Sequence, residues 1–288
     1  MKTLPYINLG CGYKYHKDWV NIDLSPDSSY VKSWDLRKGI PFTENTFEVV
    51  YHSQLIEHYE KEEARKFIKE CYRVLKPGGI IRIVTPDLED IVRNYLRLLE
   101  VNIQHPTEYT TADYEWMLLE LYDQAVRNVV GGDMGKYFQQ PIIVNEQFVL
   151  DRIGFVGKRI RQYYLDTVQH EKDTTIKNEF IKAKSLPKKL FYRRKRIVSF
   201  LREKVINLVL TREEKEYLVI GKCRQSGEIH YWLYDRFSLG RLLRESGFRD
   251  IKTMNPHLSD IPDWDRYKLD VKNEEVYDPT SLFMEARK

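Results

Sequence analysis

The residues best placed to do chemistry are Asn8-Leu9-Gly10-Cys11-Gly12, followed by a carboxylate at Asp23. Two glycines after a short apolar run let a backbone turn come close to a ligand, and an acid ending the next strand can accept from paired ribose hydroxyls. A dinucleotide fingerprint needs a third glycine, and Tyr15 stands where it would be. Asp23 also follows Gly12 by 11 residues, whereas a full crossover helix would bring the acid nearer ~20. The first crossover must therefore be a stunted helix or a loop. A phosphate-cradling GxxxxGK[ST] loop is absent from the sequence, which removes the P-loop chemistries. Cys11, Cys71 and Cys223 form neither a CxxC pair nor a metal-like cluster, and such sparse cysteine usage fits a reducing compartment.

These residues need a scaffold, and the first third of the chain supplies one. Tyr6–Leu9, Trp19–Ile22, Ser33–Asp35 and Thr46–His52 read as short strands. Ala64, Phe67, Ile68, Cys71, Val74 and Leu75 recur at helical spacing until Pro77-Gly78-Gly79 stops them. "IIRIVTPD" reads as a fifth strand, ending at Pro86-Asp87. From about Ile91 to Gln225 the chain is helix-rich and aromatic. It then returns to α/β form, with a helix over Ser238–Phe248 and strands in "RDIKTM" and "SLFMEARK". The expected fold is a Rossmann-like, doubly wound, mostly parallel α/β sheet. Residues 1–90 and 226–288 build it, and 91–225 are inserted as a helical, partly basic cap.

In order, "NLGCG", "WVNIDL", "WDLRKGIPFTENTFEVVYHSQLIEH" and "RVLKPGGIIRIVTPD" resemble the class I S-adenosyl-L-methionine-dependent methyltransferases, in their small bacterial branch. "GEIHYWLYDRFSLGRLLRESGF" and "SLFMEARK" are similar to the closing helix and strand of that branch. The resemblance implies that Asn8, Leu9, Gly10, Cys11 and Gly12 cradle the methionine and ribose part of the cofactor. It places Asp23, with Leu24, at the ribose hydroxyls, Asp35 with Leu36 at the adenine, and Ser53 with Gln54 near the sulfonium. Asn8 replaces the family's usual acid and can still bond the methionyl ammonium, without charge. Gln54 stands where relatives often carry histidine.

After the fourth strand the chain reads "YHSQ", not the [DN]PP[YF] that amide and base N-methyltransferases of this fold tend to carry. Hydroxyl acceptors come forward, and a neutral hydroxyl needs a base with a pKa near the working pH, for which histidine is suited. His58, in "QLIEH", and His230, leading into the late helix, are the candidates, with His230 favoured. Asp87 could orient the acceptor or a histidine, and it equally suits the N-cap of a helix in "TPDLEDIV". Some RNA 3′-end methyltransferases of this fold hold a divalent ion through ExxEH. Here the first acid is Gln54, so Glu57 and His58 read as a remnant and no metal is expected.

The net charge of +4 over 288 residues is too mild to argue for nucleic acid as partner. With no long apolar run, a cytoplasmic location is expected. Lys182–Leu210 is strongly basic along one face, with Leu190, Ile197, Leu201, Val205 and Leu208 along the other. A cap helix packed on the core would look this way. So would a Lys182–Lys204 surface resting peripherally on an anionic membrane. Relatives of this signature often modify surface polysaccharides or their precursors. The expected activity is therefore O-methylation of a sugar, glycan precursor or phosphorylated metabolite. A catalytically inactive Rossmann-like binding protein, or a methyltransferase acting on a lipid or RNA, would share the same cofactor motifs.

Overall fold

In a computed structural model, residues 5–26, 28–174, 206 and 208–288 are described; nearly all of the basic Lys182–Leu210 segment lies outside them. A seven-stranded sheet holds β1 (Tyr6–Leu9), β2 (Val20–Asp23), β3 (Val31–Ser33), β4 (Phe47–Ser53), β5 (Leu75–Pro86), β6 (Arg249–Met254) and β9 (Ser281–Arg287). Its order is β3-β2-β1-β4-β5-β9-β6, and β7 (Val271–Lys272) pairs with β8 (Glu275–Val276) in a separate hairpin. Strands β1 to β5 are parallel, and β9 runs antiparallel between β5 and β6. This is the mostly parallel Rossmann-like sheet the sequence implies.

Strands covered on both faces must carry apolar residues in both alternations. Ile7, Leu9, Val50, Ile81 and Ile83 pack under α1 (Lys61–Val74) and α7 (Arg236–Glu245). On the opposite face Val49, Tyr51, Val84 and Phe283 meet Trp19, Ile261, Trp264 and Leu269. Irregular chain and the short α8 (Trp264–Tyr267) cover that second face, because the crossover from β1 to β2 is a loop, as its length requires. Asn21 secures the loop, its Nδ2 donating to the carbonyls of His16 at 2.8 Å and Trp19 at 3.0 Å.

Two boundaries move for local reasons. The third strand ends at Ser33 because Asp35 caps a 3-10 turn over Leu36–Lys38, accepting from the Arg37 amide. The late helix starts at Arg236 because Asp235 and Ser238 form a reciprocal capping box.

Between β5 and α7 the chain runs through α2 (Leu88–Gln104), α3 (Glu108–Val126), α4 (Gly132–Phe138), the kinked α5 (Glu146–Thr174) and α6 (Arg212–Arg224). It leaves the sheet at Asp87 and returns beside it at Tyr234, where the two residues form a parallel bridge. Ile91, Leu98, Trp116, Met117, Phe138 and Val149 give the helices their own core. Arg152 ties three of them together, donating to both Glu120 oxygens at 2.6 Å and to Asp90 at 2.8 Å. No helix among the described residues is long and apolar enough to cross a membrane.

One core residue has an acid-stability consequence. His52 on β4 is fully buried against Phe67, and neither ring nitrogen has a partner. Burial lowers its pKa from 6.5 to about 3, so the folded state keeps it neutral while the unfolded chain takes up a proton below pH 6.5. Its contribution is complete above pH 6.5 and is lost as pH falls toward 3, at about 1.4 kcal/mol per pH unit. By pH 4.5 that amounts to roughly 3 kcal/mol. His52→Leu is expected to flatten this limb of the urea-unfolding free energy between pH 6.5 and 4.5. An unchanged slope would refute the assignment.

Candidate active site

The Gly10–Gly12 turn lies beyond the carboxyl end of β1, next to Asp23 at the end of β2. Gly10 and Gly12 both take positive φ, at 62° and 50°. A Cβ on Gly10 would lie 2.7 Å from Leu55, and one on Gly12 would project into open space, so the turn needs glycine and leaves room above it. Asp23 holds the loop, its Oδ2 accepting from the Gly12 amide at 2.8 Å and its Oδ1 from the Ser25 amide at 2.9 Å. Each of these carboxylate oxygens has a further lone pair for a ribose hydroxyl. Leu24 beside it is 55% exposed, an apolar surface suited to a nucleoside.

Asn8 is buried, donates to the Lys14 carbonyl at 2.7 Å, and has no partner at Oδ1. An orphaned buried acceptor beside an open glycine turn is what a methionyl ammonium would complete. The residues present therefore fit S-adenosylmethionine. Leu9, Cys11 and Leu36 are buried, Leu9 and Leu36 in the core under the sheet. Asp35 is held by Arg37, whose Nε lies 2.9 Å from Oδ1, and this pairing lowers the carboxyl pKa.

Lys14 had no role in the sequence reading. Its ammonium donates to Ser53 Oγ and to Asp278 Oδ2, both at 2.9 Å. Burial alone would pull its pKa down, but the Asp278 carboxylate outweighs that and raises it above the usual lysine value. A charged latch thus joins the loop after β1 to the chain just before β9. Glycine again permits it: at Gly154, where α5 kinks with φ 64°, a Cβ would collide with the Pro279 ring and stand 2.8 Å from the Val276 carbonyl. Gln54 adopts φ 53° and donates to Ser281 Oγ at 2.9 Å, binding the end of β4 to the start of β9.

Against this latch opens a cavity of about 510 Å³. Gln54, Asp278 and Ser281 form its sheet side, and Gln124, Arg127 and Arg152 reach it from the cap. His58 and His230 both line it, with ring centroids 4.7 Å apart and edge to face. The segment bearing His230 docks by its backbone, the Tyr231 amide donating to the Glu57 carbonyl at 2.8 Å and the His230 amide to the Gln124 carbonyl at 3.0 Å. Burial, then His58 and Arg127, push the His230 pKa well below the usual histidine value. Asp87 stands apart from this pair: it caps α2 through the Glu89 amide at 2.9 Å, and Pro86, not Asp87, lines the cavity. Sequence reasoning missed Lys14, Gln124, Arg127 and Asp278, none of which carries a local signal.

Sheet order, glycine turn and strand-end acid together define a Rossmann-like α/β domain. Residues 9–83 match the family model described as "Methyltransferase domain". A probable S-adenosylmethionine-dependent methyltransferase from Mycolicibacterium smegmatis is 33% identical over 92 residues, spanning 28% of this chain and 35% of that protein. The chain thus spans about a third of the length of the curated relative it matches. Among solved structures, S-adenosylmethionine-dependent methyltransferases from Mesorhizobium loti and Archaeoglobus fulgidus align at 14% and 10% identity, both with a TM-score of 0.36. The alignments cover 99% and 98% of this chain, and 91% and 85% of those chains. At such scores they add nothing to what the strand order shows. S-adenosylmethionine is the cofactor that the matched segment supports.

Proposed function

We propose that the chain is an S-adenosylmethionine-dependent O-methyltransferase whose acceptor binds in the cavity between the sheet and helices α3 to α5. The observation that carries this reading is continuity: the Lys14–Asp278 latch borders both the cofactor loop and the cavity. Bound there, S-adenosylmethionine would supply an electrophilic methyl to an acceptor oxygen, with S-adenosylhomocysteine as the leaving group and the hydroxyl proton passing to a base lining the cavity or to water.

The chain's own residues bind, align and exclude water, which supply much of the rate in such displacements. Ile91, Val130, Met134, Phe138, Ile153 and Val156 give the cavity apolar walls. Arg127 adds a positive charge near His230; its ion pairs to Asp123 and Glu228 are long, at 3.8 and 3.6 Å, and its Nε makes no hydrogen bond. A cationic group with spare donors beside apolar walls favours a sugar, a glycan precursor or a phosphorylated metabolite, consistent with a role in polysaccharide synthesis.

The test is calorimetry followed by turnover on a panel of sugar, sugar-phosphate and amine acceptors, with S-adenosylhomocysteine release as readout. Binding of S-adenosylmethionine but not NAD, and release with hydroxyl acceptors only, are expected. Absence of S-adenosylmethionine binding would overturn the reading, and release with amines alone would overturn its O-methyl part.

A further inference from the structure

Glu57 is fully buried, and its carboxylate is poorly satisfied. Oε2 accepts from Thr85 Oγ at 3.1 Å, while Oε1 has no partner, and no ion pair to Glu57 is formed among the described residues. A charge in that position calls for a cation. Beside it lie His58 and His230, and one donor atom from each of the three residues falls within 4.8 Å of the others. His58 Nδ1 is 2.9 Å from the Ile229 carbonyl, a bond that places the proton on Nδ1 and leaves the Nε2 lone pair for a ligand. Metal-binding imidazoles are oriented by this kind of bond. His230 is 5% exposed with Nδ1 unpartnered, and its Nε2 is 3.0 Å from the Gln124 side-chain amide. Turning that amide by half a turn lets its oxygen accept from Nε2–H, leaving Nδ1 as a donor to an ion.

We propose that Glu57, His58 and His230 bind one divalent transition-metal ion, of the zinc class, at the wall of the acceptor cavity. Two imidazoles and a carboxylate suit zinc, cobalt, manganese or iron(II), whereas magnesium and calcium prefer all-oxygen shells. Bonds of about 2.0–2.1 Å place tetrahedral donors about 3.4 Å apart, so small side-chain rotations close the shell around the ion. Three protein ligands leave a position open, and because His58 and His230 line the cavity, that position is offered to an oxygen of the acceptor. Gln54 stays outside the shell, committed to Ser281. With His230 beside it, the pair Glu57–His58 reads as part of this proposed site, in place of the remnant and the metal independence expected from the sequence.

Untagged protein, stripped with EDTA and dialysed, is titrated with Zn²⁺ and separately with Co²⁺. One site per chain is expected, with visible Co²⁺ d–d bands, no thiolate charge-transfer band, and a higher melting temperature. His58→Ala and Glu57→Gln, the latter keeping shape and a polar group at the buried position, should each weaken binding by about 100-fold or more. Far-UV circular dichroism and S-adenosylmethionine affinity, measured on the same samples, report that the fold and cofactor site survive. No stoichiometric binding by the wild-type protein, unchanged affinity in folded variants, or a thiolate band from Cys11, Cys71 or Cys223 would each overturn the site. Metal binding without cofactor binding would instead overturn the methyltransferase reading and leave the ion in place.

Discussion

Arg82→Met is expected to destabilise the protein by about 3–5 kcal/mol, because it removes the one cation from a buried charge cluster. Arg82 on β5 has no exposed surface. Its guanidinium donates to Asp270 at 2.8 Å, to Glu285 at 2.7 Å, and to the carbonyls of Leu258 at 3.1 Å and Asn255 at 2.9 Å. It lies over Trp264, 4.6 Å from the ring centroid. Tyr51 donates to Asp270 at 2.6 Å, the Asp260 amide to Glu285 at 2.8 Å, and the Ser259 hydroxyl also to Glu285. The cluster joins β4, β5 and β9 to the chain that covers the second face of the sheet. Burial already raises the Asp270 pKa against the pull of Arg82, so methionine would leave two buried carboxylates without the guanidinium they bond. Urea unfolding measures the loss, and a change under about 1 kcal/mol would refute the account. Adding Asp270→Asn and Glu285→Gln to Arg82→Met should recover part of the stability, since no charge then stays buried.

Asp23→Ala should weaken S-adenosylmethionine binding by about 100-fold, from losing two charge-assisted hydrogen bonds of about 1.5 kcal/mol each. The side chain is only half-buried, so the melting temperature should scarcely move, which separates lost binding from lost fold. Asp23 also accepts from the Gly12 amide, so part of the effect is loosening of the loop. Asp23→Asn keeps one acceptor and should fall between wild type and alanine. Affinity within threefold of wild type in the alanine variant would remove Asp23 from the ribose site.

The sequence alone carried much of what depends on near neighbours, missing the caps at Asp35 and Asp235. The Gly10–Gly12 turn, Asp23 at the next strand end, the α1 stripe and the missing first crossover helix are all set by steric freedom, periodicity or chain length over a few residues. Asp87 marks the edge of this legibility: capping and catalysis make the same local demand, and only the Glu89 amide within bonding distance shows that the cap is formed. What the tertiary structure decided lies between residues far apart in the chain. Lys14 meets Asp278, Arg82 meets Asp270 and Glu285, and Glu57–His58 meets His230. No local pattern encodes such meetings, because hydrogen bonds and ion pairs act over a few ångströms of space whatever the sequence separation. They form only once the parallel sheet has brought its strand ends together and the chain has returned from the cap beside Asp87.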